Sequence, residues 1–277
     1  MDSNVPEFDI KQMQKILKEA LFVIDDVCKK HDITYYLIAG TMLGSVRHKG
    51  FVPWDDDGDV GMPRPDYDRF IANANEWLPK GYELVCNTMD ENYPYAFARV
   101  QDCNTTFILR KQFQYVGGVP IDVFPLDGMT KNFFKRRFHY FRYNFYKRAW
   151  YYSTVNPYRH GKGFRMLFSL ICHKIFSPAK LRQGINKVQK EFDYITSELV
   201  ADHDNKPNRG ILPKEVYGQP TPTIFEGREL MGVSQPDAYL KYCYHDYMTI
   251  PPLSQRPKLN FRYLDLNKPY KTYNGKC

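Results

Sequence analysis

The chain has 277 residues, 43% of them hydrophobic, enough for one sizeable core with a modest appendage. Its longest apolar run, Met166 to Cys172, is far short of the roughly 20 residues a membrane-crossing helix needs, and the N-terminal Met-Asp-Ser-Asn-Val-Pro-Glu lacks the basic and apolar regions of a signal peptide, so a cytoplasmic protein is expected. The formal charge of +8 is uneven: Lys131 to Lys190 carries fifteen Lys or Arg, no acid and fifteen of the 44 aromatics, leaving 24 basic against 31 acidic residues elsewhere.

In chain order, Ile10, Met13, Ile16, Leu17, Leu21, Ile24, Val27 and Cys28 recur at helical spacing and predict an amphipathic helix over 9–31. Ile33 to Ile38 is β-branched and aromatic, and reads as a strand running into Gly40-Thr41, where Thr41 is placed to cap a short helix through Arg47. Asp57 to Met62 reads as a short strand, and Pro63 to Pro65 open a helix over Asp66 to Trp77. Tyr82 to Cys86, Tyr95 to Gln101, Thr105 to Leu109 and Val119 to Phe124 are further strand candidates. In the basic segment Phe134, Phe138, Phe141, Phe145 and Ala149 step by three and four, so it reads as helical. The polar stretch Ala201 to Gly210 reads as the connection to a last segment. The six cysteines are scattered, without a C-x-x-C pair, which argues against a disulfide framework or a structural zinc site.

The densest chemical signal is Trp54-Asp55-Asp56-Asp57-Gly58-Asp59-Val60-Gly61. Four carboxylates in five residues repel one another unless cations neutralise them. On a strand, the two-residue period puts Asp57 and Asp59 on one face, where their oxygens can share a hard cation such as Mg²⁺ or Mn²⁺. The same run read alone fits a solvated acidic loop better than a metal site. Gly40-Thr41-Met-Leu-Gly44 opens a short helix whose free amides suit a phosphate, and Arg47 and Lys49 follow as candidate phosphate clamps, with Arg99 a third; each is otherwise a surface ion pair. Asp122 lies among apolar neighbours in Val119 to Pro125 and needs either a cation or backbone donors. Trp54 either stacks on a base or plugs its loop.

These pieces in this order resemble the LicD family of phosphotransferases, related to fukutin and fukutin-related protein within the polymerase-β-like nucleotidyltransferase superfamily. The resemblance rests on Ala39-Gly40-Thr41-x-Leu43-Gly44-x-x-Arg47-His48-Lys49-Gly50-Phe51-x-Pro53-Trp54-Asp55-Asp56-Asp57-x-Asp59, then Arg99-Val-Gln-Asp102, Ile121-Asp122-Val123-Phe124-Pro125, Phe225-Glu226-Gly227 and Tyr244-x-Asp246-Tyr247-Met248. It departs from the family pattern at Gly58 and His245. It implies an α+β fold: a nucleotidyltransferase-like mixed sheet flanked by helices, with a catalytic core in 1–130, a basic helical insertion in 131–205 and a C-terminal segment in 206–277 packing back on the core. It places the metal pair on Asp57 and Asp59, the third carboxylate on Asp122 and the helix-opening signature on Gly40-Thr41, and gives Glu226, Asp246 and Tyr247 no defined role.

The implied reaction transfers a phospho-alcohol such as phosphocholine from a CDP-activated donor such as CDP-choline to a hydroxyl of a cell-surface glycan or its lipid-linked precursor, releasing CMP. A first rival keeps the fold and adds a nucleoside monophosphate to a small molecule or RNA with loss of pyrophosphate; a second is a non-catalytic polyanion-binding protein. The segment 131–190 is expected to hold the enzyme peripherally on the anionic inner face of a membrane, beside its acceptor, rather than on nucleic acid.

Overall fold

The structure, a computed structural model, describes residues 9–108, 115–160, 163–256 and 261–275. Helix α1 (Ile10–Lys30) starts where the Asp9 carboxylate accepts the Lys11 amide, and its predicted stripe, Met13, Leu17, Leu21, Ile24 and Cys28, is buried against the sheet. The Ile33 to Ile38 run yields only β1 (Tyr36–Leu37), because helix α2 (Ala39–His48) already begins at Ala39. Thr41 therefore does not cap this helix; it lies inside it. Next come β2 (Asp59–Pro63), α3 (Arg64–Trp77) with its proline in the first turn, and β3 (Tyr82–Val85). The candidates Tyr95 to Gln101 and Thr105 to Leu109 prove to be one strand, β4 (Ala98–Ile108), irregular between Asp102 and Phe107, with Leu109 outside the described residues. Strand β5 (Gly117–Met129) runs well beyond Val119 to Phe124.

The basic segment is helical: α4 (Phe133–Thr154), α5 (Phe164–Ile175) and α6 (Pro178–Gln189). The polar stretch after it is more ordered than a connection, containing β6 (Leu199–Asp202) and α7 (Pro207–Gly210). The chain continues with β7 (Ile211–Pro213), α8 (Lys214–Tyr217), the hairpin of β8 (Thr221–Phe225) and β9 (Arg228–Gly232), α9 (Pro236–Tyr244) and β10 (Tyr263–Asp265).

Strands β1, β2, β5, β4 and β10 lie side by side in that order, with β3 also on β4 and with β6 and β7 continuing from β5, an eight-stranded sheet. Among the described residues only β2 and β5 run parallel. The first part of β5 pairs with β2 and β4, and its last four residues pair with β6. This mixed sheet with flanking helices is the α+β class expected.

The main core fills the space between sheet, α1, α2 and α3, while a second cluster packs Tyr140, Tyr143, Ala149 and Trp150 of α4 against Leu181, Ile185 and Val188 of α6. A buried polar chain ties α4 to the sheet. His139 Nδ1 is 2.7 Å from Glu191 Oε2, its Nε2 is 2.8 Å from His203 Nε2, His203 Nδ1 is 3.0 Å from Asp127 Oδ2, and Arg64 donates to both Asp127 oxygens. No helix among the described residues is long and apolar enough to cross a membrane.

Candidate active site

Strand register sets the site. Asp59 of β2 is the partner of Asp122 on β5, and Asp122 is the partner of Arg99 on β4, so the three side chains form one row on one face of three adjacent strands. The row is anchored from behind: the Asp59 amide donates to Thr41 Oγ1 at 2.8 Å, the Ile38 amide to the Asp59 carbonyl at 3.3 Å, and the Asp122 amide to the Gly58 carbonyl at 2.8 Å. Thr41 thus joins α2 to the acidic strand. Gly58, where the family pattern is broken, is packed so that a Cβ would stand 2.6 Å from Ile121 Cδ1.

Arg99 commits its donors to Asp122, Nε to Oδ1 at 2.7 Å and Nη2 to Oδ2 at 3.2 Å, while its guanidinium stacks 4.0 Å from the Tyr95 ring centre. Both side chains are almost fully enclosed. It is therefore the ion-pair alternative for Arg99 that the geometry shows, buried rather than at the surface.

Asp55 closes the loop before β2. Its carboxylate lies against the first turn of α2, where only a glycine leaves room, since a Cβ on Gly40 would be 2.5 Å from Asp55 Oδ2. Gln14 of α1 fixes this loop by donating to the carbonyls of Val52 and Asp55. Asp55 and Asp57 each bring a carboxyl oxygen within 4.8 Å of the other, so the charge of Asp55 disfavours that of Asp57. Burial and then Asp56 push Asp55 up to about 6. Asp57 is exposed where it lines a cavity, and desolvation by the surrounding protein followed by the charges of Asp55, Asp122 and Asp56 raises it above the usual carboxylate range. Asp59 lies well above the usual carboxylate range for the same reasons, with Asp57 its strongest neighbour, and Asp122 is raised by burial against the opposing pull of Arg99.

Several carboxylates crowded together make an all-oxygen set that suits a hard divalent cation. Asp55, Asp56 and Asp57 each offer an oxygen within 4.8 Å of the others. Among the described residues Asp57, Asp59 and Asp122 do not close into such a group, although all three line one cavity.

Two cavities meet at Asp57 and Asp59. The first, about 430 Å³, is walled by Asp122, Arg99, Tyr95 and Phe97 from the sheet side, Lys147, Trp150 and Tyr151 from α4, and Asp202 and Asp204 after β6. The second, about 460 Å³, is walled by Ala39, Gly40, Arg47, Trp54, Asp55, Tyr244 and Tyr247. Ala39, which lines both, holds a left-handed φ of 48° fixed by its amide donating to the Tyr239 hydroxyl at 2.9 Å, a strained residue at the mouth of a helix. Arg47 donates to the Tyr247 carbonyl at 2.7 Å, and Trp54 lies between Arg47 and Arg256, whose guanidinium is 3.9 Å from the indole centre.

Of the phosphate-binding candidates, Gly40 and Arg47 therefore stand in the second cavity and Arg99 in the first. Thr41 and Gly44 are buried supports; a Cβ on Gly44 would come 2.3 Å from the Gly50 carbonyl oxygen. Lys49 is exposed at the left-handed end of α2 and lines neither cavity. Glu226 has a definite place: its Oε1 accepts the Phe51 amide at 3.1 Å, and its own amide donates to the Lys49 carbonyl at 2.8 Å, fixing the turn between α2 and the acidic loop. Sequence reading passed over Asp202, Asp204, Trp150 and Tyr151. The first two lay in a polar stretch read as a connection, and the rings were two among fifteen.

A helix opened by glycine, beside paired carboxylates on parallel strands that divide two cavities, defines a nucleotidyltransferase-type site. Residues 32–162, a little under half of the chain, match the family model described as LicD/FKTN/FKRP, nucleotidyltransferase domain. The chain is 27% identical to the lipopolysaccharide cholinephosphotransferase LicD of Haemophilus influenzae, over 88% of this chain and 92% of that protein. It is also 27% identical to an uncharacterized protein of Rickettsia typhi over 47% of this chain and 41% of the relative, and 31% identical to one of Rickettsia prowazekii over 31% and 30%.

Proposed function

We propose that the protein transfers phosphocholine, or a closely related phospho-alcohol, from a CDP-activated donor to a hydroxyl of a cell-surface glycan or its lipid-linked precursor, releasing CMP. The observation that carries this reading is the meeting of two cavities at Asp57 and Asp59, one for each side of a phosphoryl group in flight. The second cavity suits the nucleotide half: the first turn of α2 and Arg47 face the phosphate, while the Trp54 ring is already taken by the Arg256 guanidinium. The first cavity suits the alcohol and the acceptor. Its rings, Tyr95, Phe97, Trp150 and Tyr151, with the Asp202 and Asp204 carboxylates opposite, match a trimethylammonium group, which has no N–H to donate and is held by aromatic faces and negative charge.

A divalent cation, Mg²⁺ or Mn²⁺, held by Asp57 and Asp59 would neutralise the diphosphate as its bond to CMP stretches. The acids also exclude a bare anion from the site until that charge is matched. Asp122, oriented by Arg99, accepts the proton of the incoming hydroxyl at Oδ2, the oxygen Arg99 holds less closely. The relative named above, a lipopolysaccharide cholinephosphotransferase, supports an acceptor of the glycolipid kind. Such an acceptor would bring the enzyme to a membrane surface.

The test is the leaving group. Protein, Mg²⁺, CDP-choline and a glycolipid acceptor are expected to yield CMP and a choline-bearing product. Release of pyrophosphate from CTP or ATP, with no CMP from any CDP-alcohol, would replace the reading with nucleotidyl transfer.

A further inference from the structure

Helix α4 is built with opposed faces. Inward, Tyr140, Tyr143, Ala149 and Trp150 pack on α6, and Lys147, Trp150 and Tyr151 reach the first cavity. Outward, Phe134, Phe138, Phe141 and Phe145 are 79%, 58%, 67% and 47% exposed. Their spacing of four, three and four confines them to a stripe roughly 60° wide at 100° per residue. Helix α5 repeats the pattern. Only Ser169 and Cys172 of its twelve residues are buried, while Phe164, Leu167, Phe168, Ile171 and Ile175 form a second exposed stripe, roughly 100° wide at the same turn per residue. The two helices are locked together by Ser169 Oγ donating to the Tyr152 carbonyl at 2.7 Å and by the Tyr152 and Phe168 rings, 5.1 Å apart. Within the stripes Phe138 stacks on Phe141 and Phe164 on Phe168, while Phe145 also meets Tyr146 and Phe176 at its edge. Among the described residues, twelve of the twenty large hydrophobic residues that are exposed lie between Phe133 and Ile175.

Folding has buried the tyrosines and tryptophan of this segment that serve the core and left its phenylalanines in water. A soluble protein that stays monomeric rarely leaves contiguous apolar surface of this kind bare. What surrounds the stripes identifies the occupant. Arg137 and Arg148 flank the α4 stripe, Arg165 and Lys174 lie beside that of α5, all four are exposed, and no carboxylate occurs anywhere between Lys131 and Lys190. Bare phenylalanine and leucine rimmed by unpaired cations match the layered chemistry of an anionic bilayer, acyl chains beneath phosphate headgroups.

We propose that the α4 and α5 stripes insert into the headgroup boundary of an anionic membrane, seating the enzyme so that α4 presents its other face, the wall of the first cavity, to a glycolipid acceptor in the same surface. The role given to the cavity rests on the phosphotransferase reading above; the membrane seat does not, and the two are tested apart. The full chain is sedimented with vesicles of mixed phosphatidylglycerol and phosphatidylcholine, and with phosphatidylcholine vesicles alone, at low and high salt. Strong binding to the anionic vesicles is expected, weakened but not abolished by salt. The double variants Phe138→Glu/Phe141→Glu and Leu167→Glu/Ile171→Glu should each lower that binding by about tenfold or more, because each puts charge where apolar side chains would enter lipid. Transfer to a water-soluble glycan acceptor should be unchanged in both variants. Equal sedimentation of the variants and the parent chain would overturn the proposal. So would a stable dimer that both variants dissociate, or binding to RNA with none to vesicles. Vesicle binding lost in the variants while no CMP is ever released would keep the seat and remove the reaction.

Discussion

Arg99 and Asp122 face each other across the β4–β5 ladder, joined by two hydrogen bonds, with the guanidinium sandwiched beside the Tyr95 ring. Within the row of acids Arg99 opposes the burial that raises the Asp122 carboxyl, without fully cancelling it.

Removing one partner of such an enclosed pair leaves an uncompensated charge. Arg99→Met is therefore expected to lower unfolding stability by about 3–5 kcal/mol, measured by denaturant titration. Arg99→Lys retains the charge but not the two-pronged geometry, and should keep most of the stability while losing turnover, because Asp122 is no longer aimed. Equal stability in Arg99→Met and the parent chain would refute this account of the row.

Asp59 is buried, crowded by Asp57 and Asp122, and pushed far from its ordinary titration. An asparagine there removes a like charge and keeps the shape. Without divalent ions, Asp59→Asn is expected to melt higher than the parent chain, the usual signature of a site kept under strain for its chemistry. With Mg²⁺ present the order should reverse as ion binding stabilises only the parent. Transfer should fall on the order of a thousandfold or more if the ion is held here. Differential scanning with and without Mg²⁺, beside a CMP-release assay, separates the two effects.

Glu226 shows how a residue without a readable role acquires one. It lies about 175 positions from the turn it holds, accepting the Phe51 amide where a Cβ on Gly50 would come within 2.1 Å of its Oε1. Glu226→Ala leaves that amide unpaired, and about 1–3 kcal/mol of stability is expected to go. Trp54 and Asp55 follow in the same loop, so turnover should suffer beyond what the loss of folded protein explains. Comparing transfer at temperatures well below both melting points checks this.

What was legible in the sequence was whatever depends on local period or composition. The α1 stripe and the helical basic segment stand where their spacing put them, whereas β2 begins at Asp59 and leaves Asp57 in the loop before it rather than on one strand face with Asp59, and α2 begins at Ala39. What was not legible depends on register between distant strands. No local signal aligns Arg99 with Asp122, and both the ion-pair and phosphate readings of Arg99 fitted its sequence context until β4 met β5. Thr41 was misjudged for a similar reason. It looks like a helix cap, but its hydroxyl is taken by an amide 18 residues away, and the helix starts earlier on a strained Ala39 instead. Asp202 and Asp204 reach the first cavity only because β6 extends the sheet from β5.

The chain of side chains from Glu191 through His139 and His203 to Asp127 and Arg64 gives stability a defined pH dependence. His139 is lowered from its usual value, first by burial and then by the charges of His203 and Arg142, against the pull of Glu191. A lowered histidine resists protonation in the fold but not in the unfolded chain, so the unfolded state takes up more protons as pH falls below about 6.5. Its contribution is full above that pH and is lost as pH drops through the folded value. Asp127 is likewise held low, by Arg64 and His203 against burial, and its contribution is lost only further down, below about 3.9. Two steps of destabilisation are therefore expected on acidification, the first near neutrality. His139→Gln should remove the first step and leave the second. Melting temperatures across that range, for parent and variant, decide it: an identical slope between pH about 7 and 5 in both chains would place the first step elsewhere.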